Sequence, residues 1–137
     1  HLSPQHHIVK KGQSKKNVTG DKQRIKQVIN NLLSNAVKYS PEADRIEVIL
    51  RDMKKAVKIS VRDFGVGISD EEKEKVFERY YRSKEMAGKV TGLGIGLYVI
   101  NEIIKAHNGT IDIESKPGEG SIFTITLPLK QEMEHEE

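Results

Sequence analysis

Two short glycine-rich segments hold much of what could do chemistry in this chain. The first is Asp63-Phe-Gly65-Val-Gly67, and the second is Gly92-Leu-Gly94-Ile-Gly96. Glycine lets backbone N–H groups approach a phosphate closely, and a helix that begins at such a run adds the favourable end of its dipole. A carboxylate such as Asp63 can accept a hydrogen bond from the exocyclic amine of a base lying against the glycines. The pair of segments therefore indicates phosphate or nucleotide handling.

The second glycine run is not specific by itself. It lacks the G-x-G-x-x-G spacing of dinucleotide-binding turns, it follows a polar loop rather than a strand, and no Walker A sequence is present. Considered alone, these glycines could simply permit a tight entry into the following helix.

Amide and cationic side chains supply partners for a metal ion and a phosphate tail. Asn31, Asn35 and Lys38 share one stripe of an expected helix, beside its apolar face. An asparagine oxygen suits a hard cation such as Mg²⁺, which keeps most of its waters and bridges to phosphates. The cations available for a phosphate tail are Lys38, Arg79, Arg82 and Lys84.

The elements that position these residues follow from hydrophobic spacing. Apolar residues recur at helical intervals between Ile25 and Val37, after an expected N-cap at Asp21 and before Pro41. Two alternating segments, 46–50 and 57–61, predict a hairpin whose second strand runs into Asp63.

Further elements are predicted on either side of this core. Ser69, with Glu72 at capping-box spacing, begins a short helix expected to reach about residue 80. The second glycine run opens a helix to about residue 107, which Asn108-Gly109 ends. Strands are predicted over 110–114 and 121–127, and residues 8 and 9 could form an edge strand.

Length and composition bound the function classes. The 137 residues fit one domain, and 23 basic against 20 acidic residues give a net charge of +3, too mild and mixed for a dedicated nucleic-acid binder. The absence of cysteine excludes disulfides and thiolate metal sites. With no long apolar run and a polar beginning, the chain is expected to be cytoplasmic and without membrane contact of its own, whether or not the full-length protein is anchored. The isolated domain is expected to be a monomer.

The two ends of the chain show the weakest hydrophobic patterning. We expect an arm over 1–17, one domain over 18–129 and a frayed acidic tail over 130–137. His1, His6 and His7 invite a metal site, but no carboxylate or second ligand cluster lies nearby, so a disordered terminus is expected instead. The lysines around Gly12 fit a solvated hairpin or arm better than a nucleic-acid patch.

In this order and spacing, the motifs resemble the ATP-binding catalytic domain of bacterial sensor histidine kinases, within the superfamily shared with DNA gyrase, a heat-shock chaperone and the mismatch-repair ATPases. The resemblance covers about residues 18–129 and includes a closing segment over 118–124. The four boxes are an asparagine box over 31–40, a first glycine box over 63–68, a phenylalanine box over 77–82 and a second glycine box over 92–97. The resemblance implies an α/β two-layer sandwich, with a mixed, mostly antiparallel sheet and three helices on one face.

The resemblance also implies a role for individual positions, with ATP and Mg²⁺ as cofactors. Asn35 is the implied Mg²⁺ ligand, supported by Asn31, while Lys38 reaches a phosphate and Tyr39 borders the adenine. Asp63 reads the adenine amine. The other implied nucleotide contacts are Gly65, Gly67, Ile68, Thr91, Gly92, Leu93, Gly94, Gly96, Leu97 and Thr124.

Arg79 and Arg82 are the implied contacts of the terminal phosphate during transfer, and Phe77 anchors a lid over about 82–91. Some of these residues have simpler roles: Tyr39 could mainly pack, Arg79 could be an ion-pair partner, and Phe77 is expected to pack rather than touch ligand. Two positions depart from the usual family pattern. Tyr80 replaces a frequent phenylalanine, and Phe64 replaces a frequent asparagine.

Two groups that this chain lacks, a glutamate base and a phosphoacceptor histidine, indicate the type of reaction. Water-hydrolysing relatives carry a glutamate base where this chain has Asn31, whose amide cannot take a proton, so hydrolysis is expected to be slow. No histidine here has the context of the family's phosphoacceptor, so a separate histidine-bearing dimerisation domain is the implied partner, with a response regulator downstream. A serine kinase similar to anti-sigma factors, or a nucleotide-sensing module without transferase activity, remain alternatives.

Overall fold

The computed structural model describes residues 7–12, 20–39, 45–78 and 95–129. Five strands form one sheet in this part of the chain, in the order β1-β2-β3-β5-β4. Their bounds are β1 His7–Lys11, β2 Arg45–Asp52, β3 Ala56–Asp63, β4 Thr110–Ser115 and β5 Ser121–Pro128. The described helices are α1 Lys22–Tyr39, α2 Asp70–Lys73 and α3 Ile95–Ala106.

The sheet is mixed, as expected. β1 lies at its edge and runs parallel to β2, while the pairs β2–β3, β3–β5 and β4–β5 are antiparallel. The predicted hairpin is therefore confirmed, the strands predicted over 110–114 and 121–127 are present and pair with each other, and the edge strand suggested by residues 8 and 9 is present as β1.

Alternation along the strands separates two faces of the sheet. One cross-strand row joins Val48, Val61, Phe123 and Ile113, and the last three of these pack in the core with the helices. The next row joins Ile49, Ser60, Thr124 and Asp112 on the opposite face, which is polar and which no described helix covers. We call this second side the outer face.

The core lies between the helices and the inner face. It combines buried residues of α1, the segment after α2, α3 and the strands, among them Leu32, Val76, Ile100, Val61 and Ile125. Two layers, helices on one side and a sheet on the other, confirm the predicted α/β sandwich.

The start of α1 is held from two directions. Asp21 is its N-cap, as predicted, because its Oδ1 accepts from the Gln23 and Arg24 N–H groups at 3.0 and 3.2 Å. The Asp21 N–H donates to Nε2 of His107 at 3.0 Å, and Nδ1 of that ring lies 2.8 Å from the Ile103 carbonyl. Since Nε2 accepts here, Nδ1 carries the proton, and the imidazole joins the end of α3 to the start of α1.

The predicted short helix is shorter than expected. Ser69 caps it, with its side chain accepting from the Glu72 N–H, but α2 ends at Lys73 rather than near residue 80. Beyond it the bonding is mixed: the Lys75 and Glu78 N–H groups make i→i+3 bonds to the Glu72 and Lys75 carbonyls, and the Val76 N–H makes a helical i→i+4 bond to the Glu72 carbonyl. Short 3₁₀ turns are common at helix ends, and Val76, 2% exposed, anchors this segment in the core.

α3 ends in a Schellman turn. The Gly109 N–H donates to the Ile104 carbonyl at 2.9 Å, and the Asn108 N–H donates to the Lys105 carbonyl at 3.0 Å. Asn108, with φ of 62°, takes the left-handed position, and not the glycine beside it. Gly109 is needed for another reason, since a Cβ there would lie 2.5 Å from the Thr126 carbonyl oxygen.

Candidate functional site

A polar row closes the inner face of the sheet at one end. Asp63 pairs with Ser121, and Ser121 pairs with Ser115, so the three side chains cross β3, β5 and β4 in line. All three are buried, and Asp63 is only 2% exposed. The end of β3 thus presents a buried carboxylate among polar side chains.

Backbone groups hold the Asp63 carboxylate. Its Oδ1 accepts from the Gly65 N–H at 3.0 Å and from the Ser121 N–H at 3.2 Å. Both donors converge on one oxygen, and within the described residues no donor is assigned to Oδ2. The second oxygen is therefore available as an acceptor for a ligand amine.

Ser115 is the hub that fixes the surrounding loops. Its Oγ accepts from the Ile68 N–H at 2.7 Å and donates to the Gly120 carbonyl at 2.8 Å. Its Oγ also lies 2.7 Å from Oγ of Ser121, whose hydroxyl must be the donor because the single Ser115 proton is already used. This network ties the loop after β3 to the β4–β5 turn.

Burial dominates the electrostatics of the carboxylate. Desolvation raises the pKa of Asp63 from its ordinary value of 3.8 to about 6, and the two backbone hydrogen bonds oppose this increase. Asp63 is mostly ionised at neutral pH, although the fold makes its charge costly.

Two glycines let the loops pass at backbone contact. Gly67 has φ of 76°, and a Cβ there would lie 2.0 Å from the Lys116 carbonyl oxygen. Gly120 has φ of 81°, and its Cβ would lie 2.3 Å from the Asp63 carbonyl oxygen. Both therefore serve loop-to-loop packing around Asp63, which explains part of the glycine requirement without a ligand.

The amide stripe predicted on α1 is present. Asn31 and Asn35 are half-buried and lie one helical turn apart, about 6 Å along the axis. Lys38 is exposed in the last turn of the same helix, and Tyr39 is its last residue.

The side chains on α1 could supply part of the coordination of Mg²⁺, and phosphate oxygens would have to supply another part. Among the described residues no group of three or more His, Asp or Glu side chains could form a metal cage. Mg²⁺ is commonly bound by one or two protein oxygens together with waters and substrate phosphates, and a half-buried amide such as Asn35 suits that arrangement.

Three predicted nucleotide contacts lie at positions that limit how they could touch a nucleotide. Ile68 and Leu97, 2% and 6% exposed, belong to the hydrophobic core and could contact a base only as part of its apolar floor. Thr124 lies on the outer face, where its hydroxyl is 2.8 Å from that of Ser60, so the structure does not bring it to Asp63. Alternation places Ser121, three residues earlier, on the inner face instead.

Sequence reasoning missed Ser115 and Ser121. The available signal was the strand period: Phe123, Ile125 and Leu127 point to the core, so every odd position of β5, including Ser121, shares that side. The role of Ser115 is visible only once β4 is paired with β5.

Other predicted residues fall outside the description. Arg79, Arg82, Lys84, Thr91, Gly92, Leu93 and Gly94 lie outside the described residues, as does the predicted lid. Gly96 lies in the first turn of α3, and Phe77 packs against the core, as expected. In the described ranges, no helix is both long and apolar enough to cross a bilayer.

Comparison with known proteins places this geometry in context. The sequence model of the family described as "Histidine kinase-, DNA gyrase B-, and HSP90-like ATPase" matches residues 20–131. That range includes the polar row, the amide stripe and both glycine-rich segments.

Relatives by sequence are sensor kinases. Sensor histidine kinase WalK of Bacillus subtilis is 41% identical over 117 residues, which cover 83% of this chain and 19% of WalK. Sensor-like histidine kinase SenX3 of Mycobacterium tuberculosis is 38% identical over 121 residues, which cover 88% of this chain and 30% of SenX3. The chain therefore spans less than a third of these relatives.

Solved structures agree with the sequence comparison. The mycobacterial sensor histidine kinase MprB superposes with a TM-score of 0.77 at 27% identity, covering 91% of this chain and 86% of that one. A nucleotide-free catalytic domain of histidine kinase ThkA gives a TM-score of 0.74 at 30% identity, covering 90% and 80%.

Proposed function

The chain belongs to the histidine kinase-, DNA gyrase B-, and HSP90-like ATPase family, and on this premise we propose that it binds Mg-ATP and transfers the terminal phosphate to a histidine on a separate dimerisation domain. The observation that carries the proposal is the buried Asp63 carboxylate, held by backbone donors on one oxygen only. Membership of this family implies ATP binding, and the named relatives are sensor histidine kinases.

Asp63 is proposed to recognise the base. With Oδ1 occupied by the Gly65 and Ser121 N–H groups, Oδ2 would accept from the exocyclic amine of adenine. Guanine carries a carbonyl oxygen at that position, which would face the carboxylate and be rejected. Gly65 and Gly67 would form the wall of the pocket and Ile68 part of its floor.

The stripe on α1 is proposed to hold the phosphate end. Asn35 would supply an oxygen to Mg²⁺, and Lys38 would pair with a phosphate. Bound Mg²⁺ would neutralise charge on the triphosphate. Tyr39 would border the adenine, while Arg79, Arg82 and the residues 91–94 with Gly96 are proposed as further nucleotide contacts.

Asn31 is proposed to favour transfer over hydrolysis. Its amide cannot accept a proton from water, so the site would hold ATP until another nucleophile arrives. The imidazole of a histidine-bearing dimerisation domain would be that nucleophile, and a response regulator would receive the phosphate afterwards. The chain would then contribute positioning and charge stabilisation, and its partner the attacking group.

A binding experiment tests the metal part of the proposal. Asn35→Ala should weaken ATP binding at least about tenfold in Mg²⁺ and have a smaller effect in EDTA, because only the metal-bridged contact is removed. Isothermal calorimetry in both buffers measures this difference. Asn30→Ala is the matched control, since Asn30 is exposed on the same helix and points away from the stripe. Equal losses with and without Mg²⁺ would exclude Asn35 as the metal ligand.

A transfer experiment tests the reaction. The chain is incubated with labelled ATP and a separate helical domain that carries the phosphoacceptor histidine. This domain is taken from the same full-length protein or from a related sensor kinase. Acid-labile label on the added domain supports histidine transfer, and none should appear on this chain alone. Acid-stable label would instead favour a serine kinase, and nucleotide binding without any transfer would favour a sensing module.

A further inference from the structure

A cluster of charges lies on the outer face, directly behind the turn that carries Asp63. At its centre is Glu47, whose side chain is 3% exposed. Its Oε2 lies 3.2 Å from Nζ of Lys11 and 3.3 Å from a guanidinium nitrogen of Arg45. Its Oε1 lies 3.9 Å from a guanidinium nitrogen of Arg62. One buried carboxylate therefore holds three half-exposed cations from three neighbouring strands.

Two of these cations lie over the same aromatic ring. The guanidinium carbons of Arg45 and Arg62 lie 4.8 and 4.7 Å from the ring centroid of Phe64, within the range of cation–π contact. Arg45 begins β2 and Arg62 lies near the end of β3, so the ring bridges two strands. We call Glu47, Arg45, Arg62 and Phe64 the clamp.

The clamp reaches the candidate site through a single residue, Phe64. Phe64 lies between Asp63, whose side chain is on the inner face, and Gly65, whose N–H donates to Asp63 Oδ1. On the other side of the turn, a Cβ on Gly120 would lie 3.0 Å from Cα of Phe64. The turn is thus confined by the β4–β5 loop in front and by the clamp behind.

We propose that Glu47 is a positioning residue for base recognition, acting through the clamp on the Asp63 turn from the opposite face of the sheet. This inference rests on the proposed function of Asp63. Glu47 does not touch nucleotide: its carboxylate keeps two like-charged guanidinium groups together. Together these groups fix the Phe64 ring and hence the backbone from Asp63 to Gly65.

Charge balance explains why the carboxylate matters. Lys11, Arg45 and Arg62 carry three positive charges against the one negative charge of Glu47, so without it the cations repel one another and turn towards solvent. Both short contacts, from Lys11 and Arg45, fall on Oε2, whereas Oε1 has no hydrogen-bond partner within the described residues and meets Arg62 only at ion-pair distance. Loss of either arginine contact releases the ring.

The test compares base selectivity with stability. Glu47→Gln keeps the shape of the side chain and removes its charge, and it should weaken ATP binding about five- to tenfold while lowering the preference for ATP over GTP by a similar factor. A loss of folded protein would weaken both nucleotides equally, so the ratio of the two dissociation constants isolates positioning. Glu114→Gln is the matched control, because Glu114 occupies the same cross-strand row, on β4, and is exposed.

Phe64→Leu gives a second route to the same answer. It removes the ring and leaves every charge, so it should also lower the ATP:GTP preference even if Glu47→Gln fails to fold. In the double variant the two effects should not add, because both act through the clamp. Wild-type selectivity in both single variants, with an earlier unfolding transition, would overturn the inference and leave Glu47 as a stabiliser of the sheet. Failure of the wild-type chain itself to prefer ATP would instead refute the proposed role of Asp63.

Discussion

Replacing Asp63 with asparagine should stabilise the folded domain at neutral pH while removing its recognition of adenine. The carboxylate is 2% exposed, and burial raises its pKa from 3.8 to about 6. In the folded chain the ionised form is therefore less favourable than the protonated form, relative to the unfolded chain. Asparagine matches the protonated form in shape and charge.

The magnitude follows from the difference in pKa. About two pKa units at 1.36 kcal/mol each correspond to a cost of about 3 kcal/mol for keeping Asp63 ionised. The new amide N–H group, buried without a partner, offsets about 1 kcal/mol of that gain. We therefore expect Asp63→Asn to raise the free energy of unfolding by about 2 kcal/mol at pH 7.5.

The pH dependence has a definite sign. Between about pH 4 and pH 6 the folded chain holds a proton that the unfolded chain has released, so the contribution of Asp63 to stability falls as pH rises through this window. Above about pH 7 the full cost is present and constant. The gain from Asp63→Asn should therefore be absent near pH 4 and reach its plateau above about pH 7.

The nucleotide effect follows from the same two hydrogen bonds. The Gly65 and Ser121 N–H groups require an acceptor at Oδ1, so the asparagine must place its Nδ2 where Oδ2 was. That nitrogen would face the adenine amine, donor against donor, and we expect a loss of at least about 100-fold in ATP affinity.

Urea unfolding at several pH values, with parallel calorimetry for ATP, measures both effects. Asp112→Asn is the matched control, because Asp112 is exposed on the outer face. An Asp63→Asn variant no more stable than the wild type at pH 7.5, or a stability difference that does not vary with pH, would refute the reasoning about burial. Retained ATP affinity would refute the role in base recognition.

Two further predictions concern left-handed positions. Gly67→Ala should lower the free energy of unfolding by at least about 2 kcal/mol in urea titrations, because its Cβ would lie 2.0 Å from the Lys116 oxygen. Gly118→Ala shares the positive φ, at 82°, but meets nothing within 4 Å, so equal losses in both variants would show that φ strain and not loop contact is responsible. Asn108→Gly should raise the free energy of unfolding by about 0.5–1 kcal/mol, since φ of 62° at the end of α3 costs asparagine more than glycine, and a decrease would contradict that explanation.

Hydrophobic spacing predicted the elements well because each has one buried face. The helical interval from Ile25 to Val37 predicted α1, and Asp21 was identified as its cap from residue type alone. The short helix after Ser69 was predicted too long because residue spacing does not reveal that i→i+3 bonds interrupt the regular helical bonding after Lys73. The sequence also did not reveal that β1 pairs with β2 in parallel. The direction of that pairing depends on the path that the chain takes through α1 between the two strands.

The site was predictable where one residue acts alone and not where strands meet. Asp63 stands out as a carboxylate at a strand end, but Ser115 and Ser121 become its neighbours only through the pairing of β3, β5 and β4. The expectation for Thr124 came from resemblance without regard to the strand period, which sends its side chain to the outer face.

The polar row through Asp63 indicates why this domain keeps a buried carboxylate even though its ionised form destabilises the fold. An exposed aspartate would cost nothing but would be solvated by water and would select poorly among bases, whereas a buried carboxylate can accept only from a donor that replaces lost water. The fold limits the cost by supplying two backbone donors to Oδ1, and leaves Oδ2 to be satisfied by the ligand. Binding of an amine should consequently favour the ionised form and lower the pKa of Asp63. At pH 6, ATP binding should therefore release protons from this group, a linkage that Asp63→Asn removes and that calorimetry in buffers of different ionisation enthalpy can detect.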